Sequence, residues 1–376
     1  MHSRTLNLAG AFLGDELNFE RNLTIEIDDN NIISDIYPRK NGENKNYVAL
    51  PPLVNSHVHT GDYAFPEAGN SLKIEELVAP PNGLKHVLLR KTRLNKIKQA
   101  RVQSLKLNWM TGVFAVADFV EGGSFHAKEA HVRSMIRHVI LGRPDNNDFD
   151  NGLSQLARWV NGLGIPDAFS YSHEQMEELS QAFKGRPIFI HVSETAAAHI
   201  KGDYSIAMVH LKPTALVHGT HLTKEEIRDA VAKRVSIVLC PRSNLWFGSG
   251  MPPLKYMLDE GVNLALGTDN VGWIKPDIWR EMEAAVLLLR HQDPTFNKPV
   301  EVLKMATLNP ARMLGLGDIS IKKGNSAKFI LLNANLMAIE RALDPAWAVI
   351  KRGGPEAIVK SSLKMIAGNS GTLTRS

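Results

Sequence analysis

The sequence predicts an α/β protein, a (β/α)8 TIM barrel with a small β-sandwich domain built from both chain termini. Eight short apolar runs rich in Val and Ile recur through the middle of the 376-residue chain, and amphipathic segments separate them. Such runs are typical of strands buried on both faces of a parallel sheet. Eight strand–helix alternations over about 220 residues match the size of a (β/α)8 barrel. No glycine-rich phosphate turn follows any run, which disfavours a doubly wound open sheet.

Each predicted barrel strand ends in polar or glycine-containing sequence. The predicted strands occupy residues 47–55, 112–119, 136–141, 167–171, 187–191, 214–218, 235–240 and 262–267. The predicted helices include residues 83–109, 172–184, 223–233 and a segment through Arg290. Ser172 with Gln175, and Thr223 with Glu226, have the spacing of capping boxes at helix starts.

The two ends of the chain have a different pattern from the barrel. Residues 23–27 alternate between apolar and polar side chains and are followed by the turn 28–31, which is typical of a β-hairpin. Near the C-terminus, residues 327–332, 347–351 and 357–359 are further predicted strands. We therefore predict a composite β-sandwich domain from residues 1–47 and 320–376, and a barrel from residues 48–319.

Composition and charge restrict the setting and the partners. Cys240 is the single cysteine, so no intrachain disulfide can form, which is typical of a reducing compartment. The net charge of +5 is spread without long blocks of like charge, and no apolar stretch approaches the ~20 residues of a membrane span. These features predict a cytoplasmic protein that binds a small-molecule substrate and neither nucleic acid nor membrane. The oligomeric state stays open, with a homodimer as one option.

Histidine and aspartate follow several of the predicted strands. His57 and His59 are two positions apart at the end of strand one, so both side chains can point to one side. An isolated His-X-His motif would equally fit two surface histidines. His191, His218 and Asp269, however, end three further strands, and the carboxyl ends of barrel strands share one rim.

This rim predicts one divalent metal ion held by His57, His59, His191 and Asp269. Nitrogen and carboxylate ligands without thiolates suit Zn²⁺ first and Fe²⁺ second. Strand four offers no lysine to bridge a second metal, which favours a single ion. A metal in such a site lowers the pKa of a bound water towards ~7, so the pattern predicts hydrolysis.

Glu194 and His218 are the predicted catalytic residues beside this metal, together with Asp269 as a possible base. Glu194 lies three residues beyond His191, where its carboxyl could take a proton from water and pass it to the substrate. His218 could be a fifth metal ligand or could hydrogen-bond the attacking water, and the sequence does not separate these roles.

Several motifs in this order resemble the amidohydrolase superfamily, specifically its mononuclear cytosine-deaminase-like and chlorohydrolase-like (ATZ/TRZ) branch. The matching motifs are Asn55-Ser-His-Val-His59, His191-Val-Ser-Glu194, Val217-His-Gly-Thr-His221, Cys240-Pro-Arg-Ser-Asn244, Leu266-Gly-Thr-Asp-Asn270 and Ala306-Thr-Leu-Asn-Pro-Ala-Arg-Met-Leu-Gly315. The resemblance implies a barrel with a β-sandwich and hydrolysis of a carbon–nitrogen bond, most often deamination of a nitrogen heterocycle. It also implies that His57, His59, His191 and Asp269 are metal ligands, that Glu194 shuttles protons and that His218 orients water or substrate.

Residues 75–86, which follow strand one, depart from the pattern of known deaminases, so the resemblance leaves the substrate undefined. Two alternatives to a deaminase stay open. One is a chlorohydrolase or cyclic-amide hydrolase on the same scaffold, which would use the same attacking hydroxide. The other is a catalytically inactive barrel that acts as a binding module. The presence of all four implied ligands and of Glu194 favours an enzyme.

Overall fold

Eight parallel strands form the central barrel in this computed structural model, which describes residues 4–39, 46–145 and 149–367. Neighbouring strands pair in sequence order, and a parallel bridge between Val58 and Asp269 joins the last strand region to the first. The barrel strands are β5 (Leu53–Val58), β6 (Val113–Val120), β7 (Arg137–Gly142), β8 (Gly162–Ile165), β9 (Ile188–Val192), β10 (Ala215–His218), β11 (Ser236–Leu239) and β12 (Leu264–Leu266). The predicted TIM barrel is therefore confirmed.

The other five described strands form one sheet that joins the N-terminal strands to β13 from the C-terminal part of the chain. Its order is β13-β4-β1-β2-β3, with β4 parallel to β1 and antiparallel to β13. These strands are β1 (Arg4–Leu13), β2 (Asn18–Ile27), β3 (Ile33–Pro38), β4 (Tyr47–Leu50) and β13 (Ile330–Asn333). The predicted hairpin around the turn 28–31 is confirmed by the antiparallel pairing of β2 with β3.

Helices cover the outside of the barrel and connect its strands. They are α1 (Ile74–Val78), α2 (Leu84–Lys91), α3 (Leu94–Met110), α4 (Gly123–Glu129), α5 (Phe149–Leu156), α6 (His173–Ala182), α7 (Ala196–Ile200), α8 (Asp203–Ile206), α9 (Lys224–Ala232), α10 (Pro241–Trp246), α11 (Leu254–Asp259), α12 (Ile278–Gln292), α13 (Pro299–Ala306), α14 (Leu308–Met313), α15 (Pro345–Arg352) and α16 (Leu363–Ile366). Both predicted capping boxes are present, since Ser172 and Thr223 cap α6 and α9. Within the described residues, no helix combines the length and apolar composition needed to cross a bilayer.

The predicted strand 357–359 is reduced to a single antiparallel bridge between Ile358 and Leu332. Four further predicted elements differ from the structure. The predicted strand 47–55 is two strands, β4 and β5, because Pro51 and Pro52 lie between them and cannot donate to a ladder. The predicted helix 83–109 is broken between α2 and α3, where Thr92 and Arg93 are extended. The predicted strand 347–351 lies in α15, whose first turn is capped by the Asp344 carboxylate.

The fourth difference is the position of barrel strand four. It is β8, five residues upstream of the start of the predicted strand 167–171, which lies in the following turn. A Cβ on Gly162 would lie 2.1 Å from the Pro187 carbonyl oxygen, and one on Gly164 would lie 2.7 Å from the Phe119 ring. Close packing therefore requires glycine at both positions. With two glycines among its four residues, the strand has no continuous run of large apolar side chains that would predict it. The true strand also contains no lysine.

A buried network around Asp118 in β6 fixes the segment that follows β5. The Asp118 carboxylate accepts hydrogen bonds from Thr60 N (2.9 Å) and Thr60 Oγ1 (2.6 Å). It also pairs with Arg101 and lies 2.7 Å from His138 Nε2. Burial alone would raise the pKa of Asp118, but the Arg101 charge and the His138 contact lower this pKa to about 2. Asp118 is thus a buried anion that holds the chain beyond the His57–His59 strand.

Candidate metal centre

Side chains from four barrel strands converge at the carboxyl end of the barrel. One ligand atom from each of His57, His191, His218 and Asp269 lies within 4.8 Å of the other three. The His57 and His191 Nε2 atoms are 3.2 Å apart, and His57 Nε2 lies 3.1 Å from Asp269 Oδ1. Strands β5, β9, β10 and β12 bring these residues together because their carboxyl ends meet at one rim.

His59 lies beside this four-residue group rather than within it. Its Nε2 is 3.5 Å from Asp269 Oδ1, and its ring centroid is 4.9 Å from that of His57. The structure therefore brings together all five of the rim residues that the sequence singled out. It places His218 inside the most compact group and His59 at its edge.

Outer contacts orient three of the four histidines. Each Nδ1 faces an oxygen acceptor: His59 with Glu121 Oε1 at 3.0 Å, His191 with the Ile165 carbonyl at 3.0 Å, and His218 with Asn244 Oδ1 at 2.8 Å. A proton on Nδ1 leaves Nε2 with a free lone pair. Metal-binding histidines commonly have such an outer acceptor.

The backbone is strained where the strands deliver these side chains. Ser193, His218 and Asp269 have φ values of 50°, 71° and 58°, in the left-handed region that non-glycine residues seldom adopt. Asp269 is also held by Ser243, whose Oγ donates to Oδ2 over 2.5 Å. Strain of this kind clusters at functional sites, where the surrounding structure maintains it.

The charge states of the group fit a divalent cation. Burial lowers the pKa of His57 to about 4, against the hydrogen bond to Asp269. Burial would raise the pKa of Asp269, but the His57 hydrogen bond and nearby imidazoles hold this pKa well below its ordinary value. Burial also lowers the pKa of His191 well below its ordinary value. The neutral imidazoles of His57 and His191 and the Asp269 carboxylate supply lone pairs and one negative charge, which is a donor set that Zn²⁺ or Fe²⁺ can use.

Glu194 and His218 face the same cavity as the cluster. Glu194 Oε1 lies 3.5 Å from His218 Nε2, which makes no hydrogen bond within the described part of the chain. Burial raises the pKa of Glu194. The cavity has a volume of about 200 Å³. Residues of and near α1 and α2, together with Glu121, Arg143 and Phe247, line its walls.

Lys85, Glu121 and Asp62 form a buried charged group next to His59. The Lys85 Nζ is 2.8 Å from Glu121 Oε1 and 2.9 Å from Asp62 Oδ2. The sequence reasoning did not identify Glu121, although Glu121 directly follows β6 in the way that Asp269 closely follows β12. A polar residue directly after a buried strand was the signal that could have found it.

Within the described residues, the cavity lining does not include Trp246, Trp279 or Cys240. Trp246 is 55% exposed, whereas Trp279 is buried and donates its ring N–H to the Thr111 carbonyl. Among the lining residues, the aromatic side chain other than histidine is Phe247. Cys240 is buried, and burial raises the pKa of its thiol well above the usual value, so it is no reactive thiolate.

Comparison with known proteins supports an assignment to a family. The model of the amidohydrolase family matches residues 48–361. A Methanothermobacter thermautotrophicus protein, named provisionally as an aminohydrolase, is 32% identical over 84% of this chain and 85% of its own length. The 5-methylthioadenosine/S-adenosylhomocysteine deaminase of Moorella thermoacetica is 29% identical over 76% of this chain and 73% of its own length.

A solved structure agrees with this assignment at the level of the fold. The guanine deaminase of C. acetobutylicum, solved with bound guanine, superposes with a TM-score of 0.79 at 19% identity and covers 95% of this chain and 98% of its own. The family-model match over residues 48–361 and the 32% identity to the Methanothermobacter protein over most of both chains show the family. The chain belongs to the amidohydrolase family, as its motifs predicted.

Proposed function

We propose that this protein is a metal-dependent hydrolase that removes an amino group from a nitrogen heterocycle, with Glu194 as the proton carrier. The observation that carries the proposal is the position of Glu194. Its carboxyl group lines the cavity, 3.5 Å from His218 Nε2, beside a cluster of imidazoles and one carboxylate. That arrangement supports a role for this titratable carboxyl in proton transfer between an attacking water and a substrate.

The proposed ligands of a single divalent ion are His57, His59, His191 and Asp269. When bound, such an ion lowers the pKa of a coordinated water and so supplies a nucleophile at neutral pH. Zn²⁺ is favoured because an adenosine deaminase of Xanthomonas campestris with a similar fold was solved with zinc bound. His218 has two compatible roles, as a further ligand or as a hydrogen-bonding partner of the attacking water.

Glu194 can serve as base and then as acid in one turnover. Deamination needs one proton to leave the water and another to reach the ring nitrogen or the leaving amine. Because burial raises the pKa of Glu194, its carboxyl can hold a proton between these two transfers. Asp269 is less suited to this role, since its neighbours keep it anionic.

An amino-heterocycle is the proposed substrate class because named relatives deaminate adenine nucleosides. Besides the Moorella enzyme, these include a 5'-deoxyadenosine deaminase. The cavity walls contain charged side chains such as Lys85, Glu121 and Arg143, which suits a polar ring rather than a hydrocarbon.

Release of ammonia from a panel of compounds tests the proposal. Zinc-loaded protein is mixed with 5'-modified adenosines, adenosine, guanine, cytosine and amino-triazines, and metal-stripped protein is the control. Zinc-dependent release of ammonia from at least one compound is expected. Chloride release from a chloro-triazine without ammonia would instead indicate a chlorohydrolase. Binding without turnover of any compound would contradict the enzyme proposal and favour a binding module.

A further inference from the structure

We propose that Glu121 is a positioning residue that holds His59 by its Nδ1 and so turns the Nε2 of His59 towards the metal centre. This inference rests on the metal site proposed above. It concerns a residue that directly follows the second barrel strand, β6, that lines the cavity wall and that contacts His59 at Nδ1.

The contact is short and buried. Glu121 Oε1 lies 3.0 Å from His59 Nδ1, and the two side chains are 13% and 6% exposed. A carboxylate oxygen can only accept a hydrogen bond, so this contact places the imidazole proton on Nδ1. The opposite nitrogen, Nε2, then keeps its lone pair and lies 3.5 Å from Asp269 Oδ1.

Lys85 competes for the same nitrogen. Its Nζ is 2.9 Å from His59 Nδ1. If Lys85 donated to Nδ1, the proton of a neutral His59 would move to Nε2, and that nitrogen could not bind a metal. Which of the two partners holds Nδ1 therefore decides whether His59 can be a ligand.

The surrounding charges favour Glu121 in this competition. The ammonium group of Lys85 already has two carboxylate oxygens within reach, Glu121 Oε1 at 2.8 Å and Asp62 Oδ2 at 2.9 Å. In contrast, Glu121 is the one acceptor within hydrogen-bond distance of His59 Nδ1 in the described part of the chain. Lys85 thus holds the Glu121 carboxylate in place, and Glu121 holds His59.

Glu121 differs in kind from the partners of the other histidines. His191 and His218 have neutral acceptors on Nδ1, a backbone carbonyl and an asparagine amide oxygen. A carboxylate in this position raises the basicity of the imidazole and fixes the ring, and loss of such an outer partner typically lowers metal affinity by about 10–100-fold. His59 lies at the edge of the cluster, 3.5 Å from Asp269 Oδ1 through its Nε2.

The experiment compares metal affinity in E121M, D62N and the double variant K85M/E121M. E121M and D62N each remove one negative charge next to Lys85, so they match in net charge, but only E121M removes the acceptor from His59. The double variant keeps the net charge of the parent protein, so a buried unpaired ammonium cannot explain its behaviour. Circular dichroism verifies that each variant folds.

Zn²⁺ affinity is measured by competition with a chelator, and the visible spectrum of Co²⁺-loaded protein reports ligand geometry. E121M and K85M/E121M are expected to bind about 10–100-fold more weakly, with an altered Co²⁺ spectrum. D62N is expected to stay within about threefold of the parent protein, with an unchanged spectrum. E121Q, which keeps an acceptor oxygen, is expected to recover most of the affinity.

Two results would overturn the inference. In one, E121M has the same Zn²⁺ affinity and the same Co²⁺ spectrum as the parent protein. The other is an equal loss in D62N and E121M, which would assign the cluster to general charge balance. Failure of the parent protein itself to bind either metal would instead overturn the proposed metal site, so the two failures are distinguishable.

Discussion

The Nε2 atom of His218 lies 3.5 Å from Oε1 of Glu194. His218 is the last residue of β10, and Glu194 lies two residues after the end of the neighbouring strand β9. His218 is almost fully buried, and its Nδ1 faces Asn244 Oδ1 at 2.8 Å. Among the residues that the structure describes, its Nε2 makes no hydrogen bond and has the Glu194 carboxyl group as its neighbour across the cavity. This relationship places a potential proton donor and acceptor side by side at the candidate centre.

Glu194→Gln is expected to fold and to bind metal like the parent protein but to lose at least ~100-fold in kcat. General acid–base catalysis typically contributes about 10²–10⁴-fold, and the amide nearly preserves the shape of the side chain while removing the titratable group. Steady-state ammonia release and elemental analysis measure the two properties. Glu225→Gln, at an exposed position on α9, is the control and should be unchanged. Near-normal kcat in Glu194→Gln would assign the proton transfers to Asp269 with His218.

Metal content is expected to fall in the His57→Ala, His59→Ala, His191→Ala and Asp269→Ala variants. Each substitution removes one proposed ligand, and the parent protein should hold about one Zn²⁺ or Fe²⁺ per chain. Elemental analysis after dialysis measures the content. If all four variants kept the metal of the parent protein, the site would lie elsewhere.

His218→Gln tests the role that neither sequence nor geometry decides alone. We expect this variant to keep its metal and to lose turnover, because the Nε2 of His218 lies next to Glu194 and Asn244 already holds its Nδ1. The same elemental analysis, paired with ammonia release, measures both. If His218→Gln lost its metal while His59→Ala kept it, His218 would be the metal ligand and His59 would not.

Asp118→Asn is expected to destabilise the protein in a pH-dependent manner. The pKa of Asp118 is about 2 in the folded protein, below the ordinary value for aspartate, about 3.9. Its contribution is therefore fully present above pH ~4 and is lost as the pH falls towards 2, which corresponds to about 3 kcal/mol. At pH 7 the variant should be less stable by about 3 kcal/mol, because Arg101 loses its buried counter-charge.

Urea unfolding between pH 2 and 7 measures this effect. The difference in the free energy of unfolding between the parent protein and the variant should decrease as the pH falls. Asp35→Asn is the control, since Asp35 pairs with Lys323 at the surface, and its unfolding transition should be unchanged. If this difference in the free energy of unfolding stayed constant with pH, the lowered pKa of Asp118 in the folded protein would be contradicted.

Deletion of residues 1–46 is expected to destabilise the whole protein rather than to release an independent barrel. The deletion removes β1, the parallel partner of β4, and exposes one edge of β4. It also removes half of a separate apolar core in which Leu8 and Ile25 pack against Phe329. Solubility and the Tm of the truncated chain measure the effect. A truncated chain with an unchanged Tm would show that the small sheet adds nothing to barrel stability.

Local patterns predicted most of the barrel and the positions of its polar strand ends. Seven of the eight barrel strands lie in or across the predicted runs, because a strand buried on both faces needs a continuous apolar sequence. Strand β8 was not predicted, because packing against Pro187 and Phe119 requires glycine in place of larger apolar residues. Residues 347–351 form a helix because Asp344 and Pro345 begin one, and an apolar run alone does not distinguish helix from strand.

The sequence by itself determined that six residues lie at or just beyond the carboxyl ends of barrel strands and so would meet at one rim: His57, His59, His191, Glu194, His218 and Asp269. Only the tertiary structure decided how they meet there. The depth of each side chain depends on strand register and on strained backbone at residues such as His218 and Asp269, which no periodicity encodes. The contact of Glu121 with Lys85 and His59 likewise joins residues more than 25 positions apart. Such contacts arise only when the chain closes on itself, because burial and charge pairing depend on neighbours in space rather than in sequence.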